Sequence, residues 1–442
     1  MLESLLIANR GEIARRIIRT ARGLGIRTVA VHSDADAGLP FVAEADQAVR
    51  LTGGSPAQAY RDSDALLAAA KATGAQAVHP GYGFLSENPG FARAVAAAGL
   101  VWVGPAAEAI ETMGDKINAR NLVAAAGVPV APGTTGPVPD AASALAEARE
   151  IGYPVMVKAA AGGGGMGMEV AANEATLRTG YEKVRAFAER MFGDGSVLIE
   201  RHFPRVRHIE AQILGLATGR TVALGERECS VQRRNQKLAE ESPSPALSPE
   251  QRARLLAAAV RAGEAVGYRN AGTVEFLFDP ATGEFFFLEM NTRLQVEHPV
   301  TEAVFGVDLV AAQLRIAAGL PLDLPGGPTG HALELRVNAE DPKRFLPGPG
   351  TITTWVEPGG HGVRVDSGYT AGTTVTPHYD SLMAKLIVHG QDRDEALARA
   401  RAAVASFEIA GPKHNLPFFA ELLDHHEFVS GDYDTGIVAR MR

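Results

Sequence analysis

The segment 273–299, TVEFLFDPATGEFFFLEMNTRLQVEHP, constrains the fold more than any other part of the chain. β-Branched and aromatic residues over 273–278 and apolar residues over 285–290 flank a group of turn residues, a pattern that predicts two strands joined by a turn. Such a turn would place Glu275 opposite Glu289. Two carboxylates that face each other across a strand pair repel, and a divalent cation that prefers oxygen ligands, such as Mg²⁺, would offset that repulsion.

A row of polar residues continues beyond the second strand at every other position: Glu289, Asn291, Arg293, Gln295 and Glu297. In an extended chain, alternate side chains point to the same side. A straight strand would spread these five over about 26 Å, at about 3.3 Å per residue. We therefore expect the segment to curl, so that its polar face can act on one small substrate. A half-solvated hairpin with its charges in water is the alternative.

Bulk composition excludes several classes of function. The chain has 442 residues and a net charge of −8, which disfavours binding to nucleic acid or to an anionic membrane. Its single cysteine, Cys229, excludes an internal disulfide and a cysteine zinc cluster and is typical of a reducing cytoplasm. No apolar run reaches the length of a membrane span, and the apolar run near the N-terminus is too short for a signal peptide. We expect a cytoplasmic protein.

The N-terminal region is predicted to be a parallel α/β unit. A strand over 5–8 is followed by a helix with an apolar stripe and by a second strand over 28–32, which is a βαβ pattern. The first turn carries only Gly11 and lacks the three spaced glycines of a dinucleotide site, so a nicotinamide enzyme is disfavoured. A later strand enters the loop HPGYGFLSEN, residues 79–88, which is either a ligand loop or an ordinary connector.

A glycine-rich loop follows a predicted strand that carries Lys158. Four consecutive glycines, 162–165, allow backbone N–H groups to approach an anion such as phosphate. The loop is not a Walker A motif, because the lysine precedes the glycines. We interpret it as a phosphate-binding lid, with a flexible surface turn as the alternative.

Two further regions complete the pattern. Residues 226–237 include four basic side chains, and taken alone they are best interpreted as a solvated charged loop, with a nearby anion as the alternative. From residue 331 onward, β-rich segments precede a helix over 394–407. This predicts a third part of α+β type.

Together these segments resemble the ATP-grasp superfamily and, within it, biotin carboxylase, the ATP-dependent component of acetyl-CoA and other acyl-CoA carboxylases. IANRGEIA, HPGYGFLSEN, MGDK, the glycine lid, EMNTRLQVEHPVTE and RVNAEDP occur in the order of that family. The resemblance implies a multidomain α/β and α+β protein. A Rossmann-like (pre-ATP-grasp) domain would span 1–112, an ATP-grasp domain 113–328 with a mobile lid over about 131–204, and a biotin carboxylase C-terminal α+β domain 329–442.

The resemblance also implies roles for individual residues. The expected nucleotide contacts are Lys116, Lys158, Gly163, Gly164, Gly165, Gly167, Glu200, Arg201, Phe203, His208, Gln232, Glu275 and Glu289. The expected metal ligands are Glu275, Glu289 and Asn291. Bicarbonate would be held by Lys237, Arg293, Gln295 and the Val296 backbone, with Glu297 as the base that deprotonates it. Arg336 would stabilise the biotin enolate, and Tyr82 would line the biotin site.

The implied reaction is ATP- and bicarbonate-dependent carboxylation of biotin through carboxyphosphate, the first half-reaction of an acyl-CoA carboxylase that serves fatty acid biosynthesis. The cofactors would be ATP and Mg²⁺ or Mn²⁺, with carrier-bound biotin as substrate. The partners would be a biotin carboxyl carrier protein or domain, a carboxyltransferase and a second copy of this chain. The Met-Lys-Met motif for biotin attachment is absent, so biotin must sit elsewhere.

Several positions depart from the family pattern. Met166 stands where the lid usually has a basic residue, and Glu169 replaces a common arginine; Asn235 replaces a histidine. Gly23 and His361 occupy dimer-interface positions that are often Glu and Phe. Two other functions stay open. One is an ATP-grasp ligase that joins a carboxylate to an amine, and the other is a weakly catalytic nucleotide-binding subunit.

Overall fold

The structure is a computed structural model, and it describes residues 1–160, 167–324 and 326–442. The N-terminal part contains strands β1 (Ser4–Ile7), β2 (Arg27–His32), β3 (Gln47–Arg50), β4 (Ala77–His79) and β5 (Val101–Trp102). Its helices are α1 (Gly11–Gly23), α2 (Pro40–Glu44), α3 (Pro56–Ala59), α4 (Ser63–Thr73), α5 (Pro89–Ala97) and α6 (Ala107–Gly114). The strands pair in parallel in the order β3-β2-β1-β4-β5. This confirms the predicted Rossmann-like unit.

The apolar stripe of α1 explains its position on this sheet. Ile13, Ile17, Ile18 and Ala21 recur at helical spacing and are all buried. Burying a side chain of this size contributes about 1.5–3 kcal/mol for each isoleucine. The helix begins at Gly11, whose φ of +64° allows the strand to turn sharply into the helix.

The central part begins with α7 (Lys116–Ala125) and α8 (Ala141–Ile151) and continues through β6 (Val155–Ala159), β7 (Met168–Ala171), α9 (Glu174–Phe192) and β8 (Val197–Arg201). Strands β7, β6 and β8 form an antiparallel sheet, with β6 in the middle. The buried residues Val155, Val157, Leu177 and Ile199 fix α9 against this sheet. The sheet, α8 and α9 lie within residues 131–204, the range for which the sequence predicts a lid.

The remaining central elements are β9 (Arg207–Gly215), β10 (Thr221–Arg233), β11 (Gln236–Ser242), α10 (Pro249–Ala265), β12 (Asn270–Asp279), β13 (Glu284–Asn291), α11 (His298–Phe305) and α12 (Leu309–Ala317). The prediction that residues 226–237 form a solvated loop is wrong. These residues belong to the long hairpin β10–β11, and the Arg227 side chain is fully buried.

The C-terminal part contains β14 (His331–Asn338), β15 (Gly350–Thr351), β16 (Thr354–Val356), β17 (Val363–Ser367), β18 (Thr374–Val375), β19 (Leu382–Gly390) and β20 (Glu408–Ala410). Its helices are α13 (Arg393–Ser406), α14 (Leu416–Asp424), α15 (His426–Ser430) and α16 (Ile437–Arg440). This is the α+β part that the sequence predicts.

One large antiparallel sheet joins the central and C-terminal parts. Across the described ranges its strand order is β13-β12-β9-β10-β11-β14-β19-β17. The link is the pairing of β11 with β14, in which Glu240 lies opposite Glu334 and Ala239 lies opposite Leu335. Side chains from sequence regions far apart therefore share one surface. In the part of the chain that the structure describes, no helix is long and apolar enough to cross a membrane.

Candidate active site

The β12–β13 hairpin forms with the predicted pairing. Glu275 lies opposite Glu289, and Thr273 lies opposite Asn291. Burial and then the charge of Glu275 raise the pKa of Glu289. The facing carboxylates therefore repel, as expected from their register, and their oxygen atoms suit a divalent cation.

The polar segment after Asn291 curls, as predicted, and the curl returns it toward Glu275. The chain leaves β13, turns at 296–297 and enters α11. The amide of Gln295 donates to the Glu275 carboxylate over 2.8 Å. The curl brings Glu297 and Glu275 to the same ammonium group, that of Lys237, which donates hydrogen bonds to them over 2.6 and 2.9 Å.

Lys237 is the centre of a buried charge cluster. Its ammonium donates to three carboxylates, those of Glu210 over 2.6 Å, Glu275 over 2.9 Å and Glu297 over 2.6 Å. Burial alone would lower the pKa of Lys237, but the three negative charges outweigh it and hold the pKa well above its usual value. The lysine is therefore a fixed positive charge beside the hairpin.

Glu297 lies between two cations at the β14 end of the cluster. Its second oxygen lies 3.0 Å from the Arg336 guanidinium, which also binds Glu240 over 2.6 Å. Burial would raise the pKa of Glu297, but the charges of Lys237 and Arg336 outweigh it and hold that pKa below its usual range. Burial raises the pKa of Glu240 to about 7. Glu297 is therefore ionised, with its two oxygens held by Lys237 and Arg336.

Arg293 connects the hairpin to the loop 79–88. Its guanidinium lies 2.9 Å from the Glu87 carboxylate and donates to the Asn291 side chain over 2.9 Å. In the same loop, the Tyr82 hydroxyl contacts the carboxylate of Glu12, at the start of α1. The loop therefore lies against the polar segment and is bound to it through Glu87.

The predicted nucleotide residues surround the other end of the hairpin. Lys158, on β6, contacts Glu200 on β8. Burial lowers the pKa of Lys116, and the charge of Glu289 opposes that change. The imidazole of His208 lies 2.8 Å from the Glu275 carboxylate. The lysines, His208 and the acidic pair thus form an electrostatically coupled group.

Three other residues predicted to bind the nucleotide, Arg201, Phe203 and Gln232, make different kinds of contact. The Arg201 guanidinium donates to the Ile151 and Gly152 carbonyls over 3.0 and 3.3 Å, and its backbone N–H donates to the Pro132 carbonyl over 2.7 Å. The Phe203 ring stacks on Phe286, with centroids 4.8 Å apart. Gln232 pairs with Lys237 in the β10–β11 register.

The lid residues are only partly described. Gly163, Gly164, Gly165 and Met166 lie outside the described residues. Gly167 has a φ of +69°, and a Cβ atom on it would lie 3.0 Å from the Ala159 methyl group. This position therefore requires glycine for both its backbone conformation and its space.

Several site residues were missed by the sequence interpretation: Glu87, Glu210, Arg227, Glu240 and Lys385. Arg227 donates to five side chains, those of Glu210, Gln212, Thr273, Gln295 and Thr301, over 2.5–3.0 Å. The sequence did contain a signal for the position of Arg227: it alternates with Cys229 and Val231 at strand spacing, which places the three side chains on one face. In the structure all three are buried.

Three family models match the chain. Residues 1–110 match "Biotin carboxylase, N-terminal domain", residues 115–324 match "Carbamoyl-phosphate synthase L chain, ATP binding domain" and residues 334–440 match "Biotin carboxylase C-terminal domain". Biotin carboxylase 1 of Bacillus subtilis is 48% identical over 439 residues, which cover 98% of both chains. The biotin carboxylase of Pseudomonas aeruginosa is 48% identical over 435 residues, which cover 98% of this chain and 96% of its own.

Solved structures agree with these matches. The biotin carboxylase of Campylobacter jejuni, in complex with a nucleotide, superimposes with a TM-score of 0.96 at 41% identity and covers 100% of this chain and 99% of its own. The biotin carboxylase domain dimer of 2-oxoglutarate carboxylase from Hydrogenobacter thermophilus, bound to MgADP, ADP and bicarbonate, gives a TM-score of 0.95 at 43% identity, covering 100% and 98%.

The fold and the family models therefore define an ATP-grasp enzyme with three sequence regions. The two flanking regions distinguish it from other ATP-grasp enzymes. The chain belongs to the biotin carboxylase family.

Proposed function

We propose that this chain catalyses the ATP- and bicarbonate-dependent carboxylation of biotin, and that the residues around Lys237 perform it. The observation that carries this proposal is the curled segment, in which one lysine contacts both Glu275, on the hairpin, and Glu297. A nucleotide site and an acceptor site thereby become adjacent. The alternative reaction, ligation of a carboxylate to an amine, has no comparable support from the C-terminal region, which matches the biotin carboxylase model.

The nucleotide end is assigned by charge. Lys116, Lys158 and the lid glycines would hold the phosphates of ATP, while Glu200, the Arg201 main chain and Phe203 would lie at the adenine. His208 and Gln232 would complete this surface. Glu275, Glu289 and Asn291 fit a divalent cation, because Asn291 donates to Glu275 over 2.8 Å and the two acids repel without one. Bound Mg²⁺ would neutralise charge that develops on the transferred phosphoryl group.

The acceptor end is assigned by hydrogen-bonding capacity. Lys237, Arg293, Gln295 and the Val296 backbone would hold bicarbonate, and Glu297 would remove its proton. The deprotonated oxygen would then attack the γ-phosphorus, and ADP would leave. Bicarbonate is a weak nucleophile until it loses this proton, so a base within hydrogen-bond reach is essential. The low pKa of Glu297 keeps the base ionised at neutral pH.

The second half of the chemistry takes place near Arg336. Carboxyphosphate would release CO₂, and the phosphate trianion would take the proton from N1′ of biotin. The biotin enolate would face Arg336, whose pKa the charges of Glu240 and Glu297 hold well above its usual value against the effect of burial. The enolate would then attack CO₂. Tyr82, on the adjoining loop, would line the biotin site.

We further propose domain boundaries and partners. The domains are 1–112, 113–328 with a lid over about 131–204, and 329–442, although the sheet itself continues across residue 328 through the β11–β14 pair. The biotin would arrive on a carrier protein, and a carboxyltransferase would use the product. A second copy would bind at the face that carries Gly23, where a cavity of about 600 Å³ is also lined by Arg16, Arg19 and Arg364.

The test is a steady-state assay of ATP cleavage by the purified chain. We expect cleavage to require bicarbonate and Mg²⁺ and to increase when free biotin is added. Stimulation by an amine instead of biotin would favour the ligase alternative. Mg²⁺-dependent nucleotide binding without turnover would favour the weakly catalytic alternative.

A further inference from the structure

Lys385 bridges the N-terminal part and the segment that carries Glu297. It lies on β19, and its side chain is fully buried. Its ammonium donates to the Val296 carbonyl over 2.9 Å and lies 3.3 Å from the carboxylate of Glu12, on α1. A buried ammonium in such a position must be matched by polar partners, so its partners indicate its role.

The Val296 contact fixes the main chain of the base. The Gln295 carbonyl is engaged by the His298 side chain over 2.8 Å, and the Glu297 carbonyl accepts from the Val300 N–H over 3.4 Å, both within the same turn. The carbonyl between them accepts from Lys385. Because the Val296 carbonyl and the Glu297 N–H belong to one planar peptide unit, holding the first also orients the second.

The other end of the contact chain reaches Tyr82. Its hydroxyl contacts Glu12, and its carbonyl accepts from the Asn9 side chain over 2.7 Å. Burial raises the pKa of Glu12, and the charge of Lys385 opposes the rise. A continuous path therefore runs from Tyr82 through Glu12 and Lys385 to the Val296 peptide.

The alternative is that Lys385 only neutralises its neighbours. Asp366 and Arg336 flank it in the sheet register, and Glu334 is a further buried acid nearby. Asp366, however, already binds Arg364 over 2.5 Å. Among the described residues neither carboxyl oxygen of Glu334 has a hydrogen-bond partner, so the Lys385 ammonium does not bind this acid.

We propose that Lys385 is a positioning residue for Glu297, held in place by Glu12 and Tyr82, and that this path couples the biotin side of the site to its bicarbonate side. The inference rests on the proposed function. It adds three residues from two other parts of the fold to the machinery that orients the base.

The experiment measures bicarbonate-dependent ATP cleavage with no biotin present. For Lys385→Met we expect kcat/KM for bicarbonate to fall about 100-fold, the loss typical of a small misplacement of a catalytic group, with nucleotide affinity unchanged. Tyr82→Phe should lower the same parameter to a smaller extent. Lost contact with biotin cannot explain that result, because biotin is absent.

The matched control is Arg393→Met. Arg393, on α13 and outside the site, is partly buried and pairs with the buried Glu241 of β11 over 2.7 Å, so its loss tests for a general effect of taking the cation from a buried acid. Lys385→Met leaves the Glu12 carboxylate without its cation, which could destabilise the fold. A double variant that also carries Glu12→Gln removes both charges and avoids this effect. The same bicarbonate defect is expected in this double variant.

Wild-type bicarbonate kinetics in folded Lys385→Met, or in the double variant if the single variant does not fold, would overturn the inference. So would an equal defect in Arg393→Met, or an unaltered Tyr82→Phe. Failure of the proposed function would give a different result from failure of this inference. If the proposed function is wrong, the wild-type chain itself shows no bicarbonate-dependent ATP cleavage, and the inference about Lys385 is then also wrong.

Discussion

Glu297→Gln isolates the proposed base. The substitution keeps the size of the side chain and removes its charge and its capacity to take a proton. The Glu297 side chain is 2% exposed, so solvent cannot replace it. Its partners remain satisfied, because Lys237 retains Glu210 and Glu275 and Arg336 retains Glu240. We therefore expect a folded protein that binds ATP normally.

The expected size of the effect follows from general-base catalysis, which contributes about 10²–10⁴-fold. A thousandfold loss corresponds to about 4 kcal/mol of transition-state stabilisation. The assay compares bicarbonate-dependent ADP formation and nucleotide affinity in the wild type and the variant. ADP formation should fall within that range, and nucleotide affinity should not change.

Glu228→Gln is the matched control for this prediction. Glu228 is also a fully buried glutamate, but its contacts are Arg207, Ser230 and Ser244, and burial raises its pKa. It should retain activity. The reasoning is refuted if Glu297→Gln turns over at the wild-type rate, or if it loses ATP binding while it remains folded.

Three further predictions concern neighbouring groups. Arg336→Ala should abolish biotin carboxylation and leave ATP bound, measured as carboxybiotin formation beside nucleotide titration; loss of nucleotide binding would contradict its assigned role. Arg227→Met should lower the free energy of unfolding by about 3–5 kcal/mol in a denaturant titration, because the fully buried Glu210 keeps only Lys237 as a cation and four other buried side chains lose the donor that Arg227 supplies; a loss below about 1 kcal/mol would contradict this. Burial would raise the pKa of Glu241, but its partners, including Arg393, lower it from 4.5 to about 2. The stability that Glu241 adds over Glu241→Gln should therefore be present above pH 4.5 and disappear as the pH falls toward about 2, and a pH-independent difference would count against it.

The local features of the site could be predicted from the sequence. The hairpin depends on residues within one segment, so strand periodicity and turn chemistry were sufficient to predict that Glu275 faces Glu289. The curl was predictable as a necessity, because five polar groups cannot reach one small substrate from a straight strand. The direction of the curl could not be predicted, because it depends on Lys237, which belongs to another hairpin.

The nonlocal features were beyond sequence reasoning. Arg227 looked like a solvated charge, since its burial requires partners from three distant segments, including Glu210, Thr273 and Thr301. Likewise, the pairing of β11 with β14 brings Arg336 beside Glu297, and no short motif encodes that pairing. The roles of Lys158, the lid and Tyr82 came from the family resemblance and stay predictions.

The central claim is that bicarbonate itself attacks the γ-phosphate beside Glu297. The most direct test supplies ¹⁸O-labelled bicarbonate with ATP, Mg²⁺ and biotin and follows the label by mass spectrometry of the released phosphate. If carboxyphosphate forms, one bicarbonate oxygen remains on phosphorus when CO₂ leaves, so the phosphate should carry one ¹⁸O atom for each carboxybiotin formed. Phosphate whose one newly added oxygen comes from water would contradict the account.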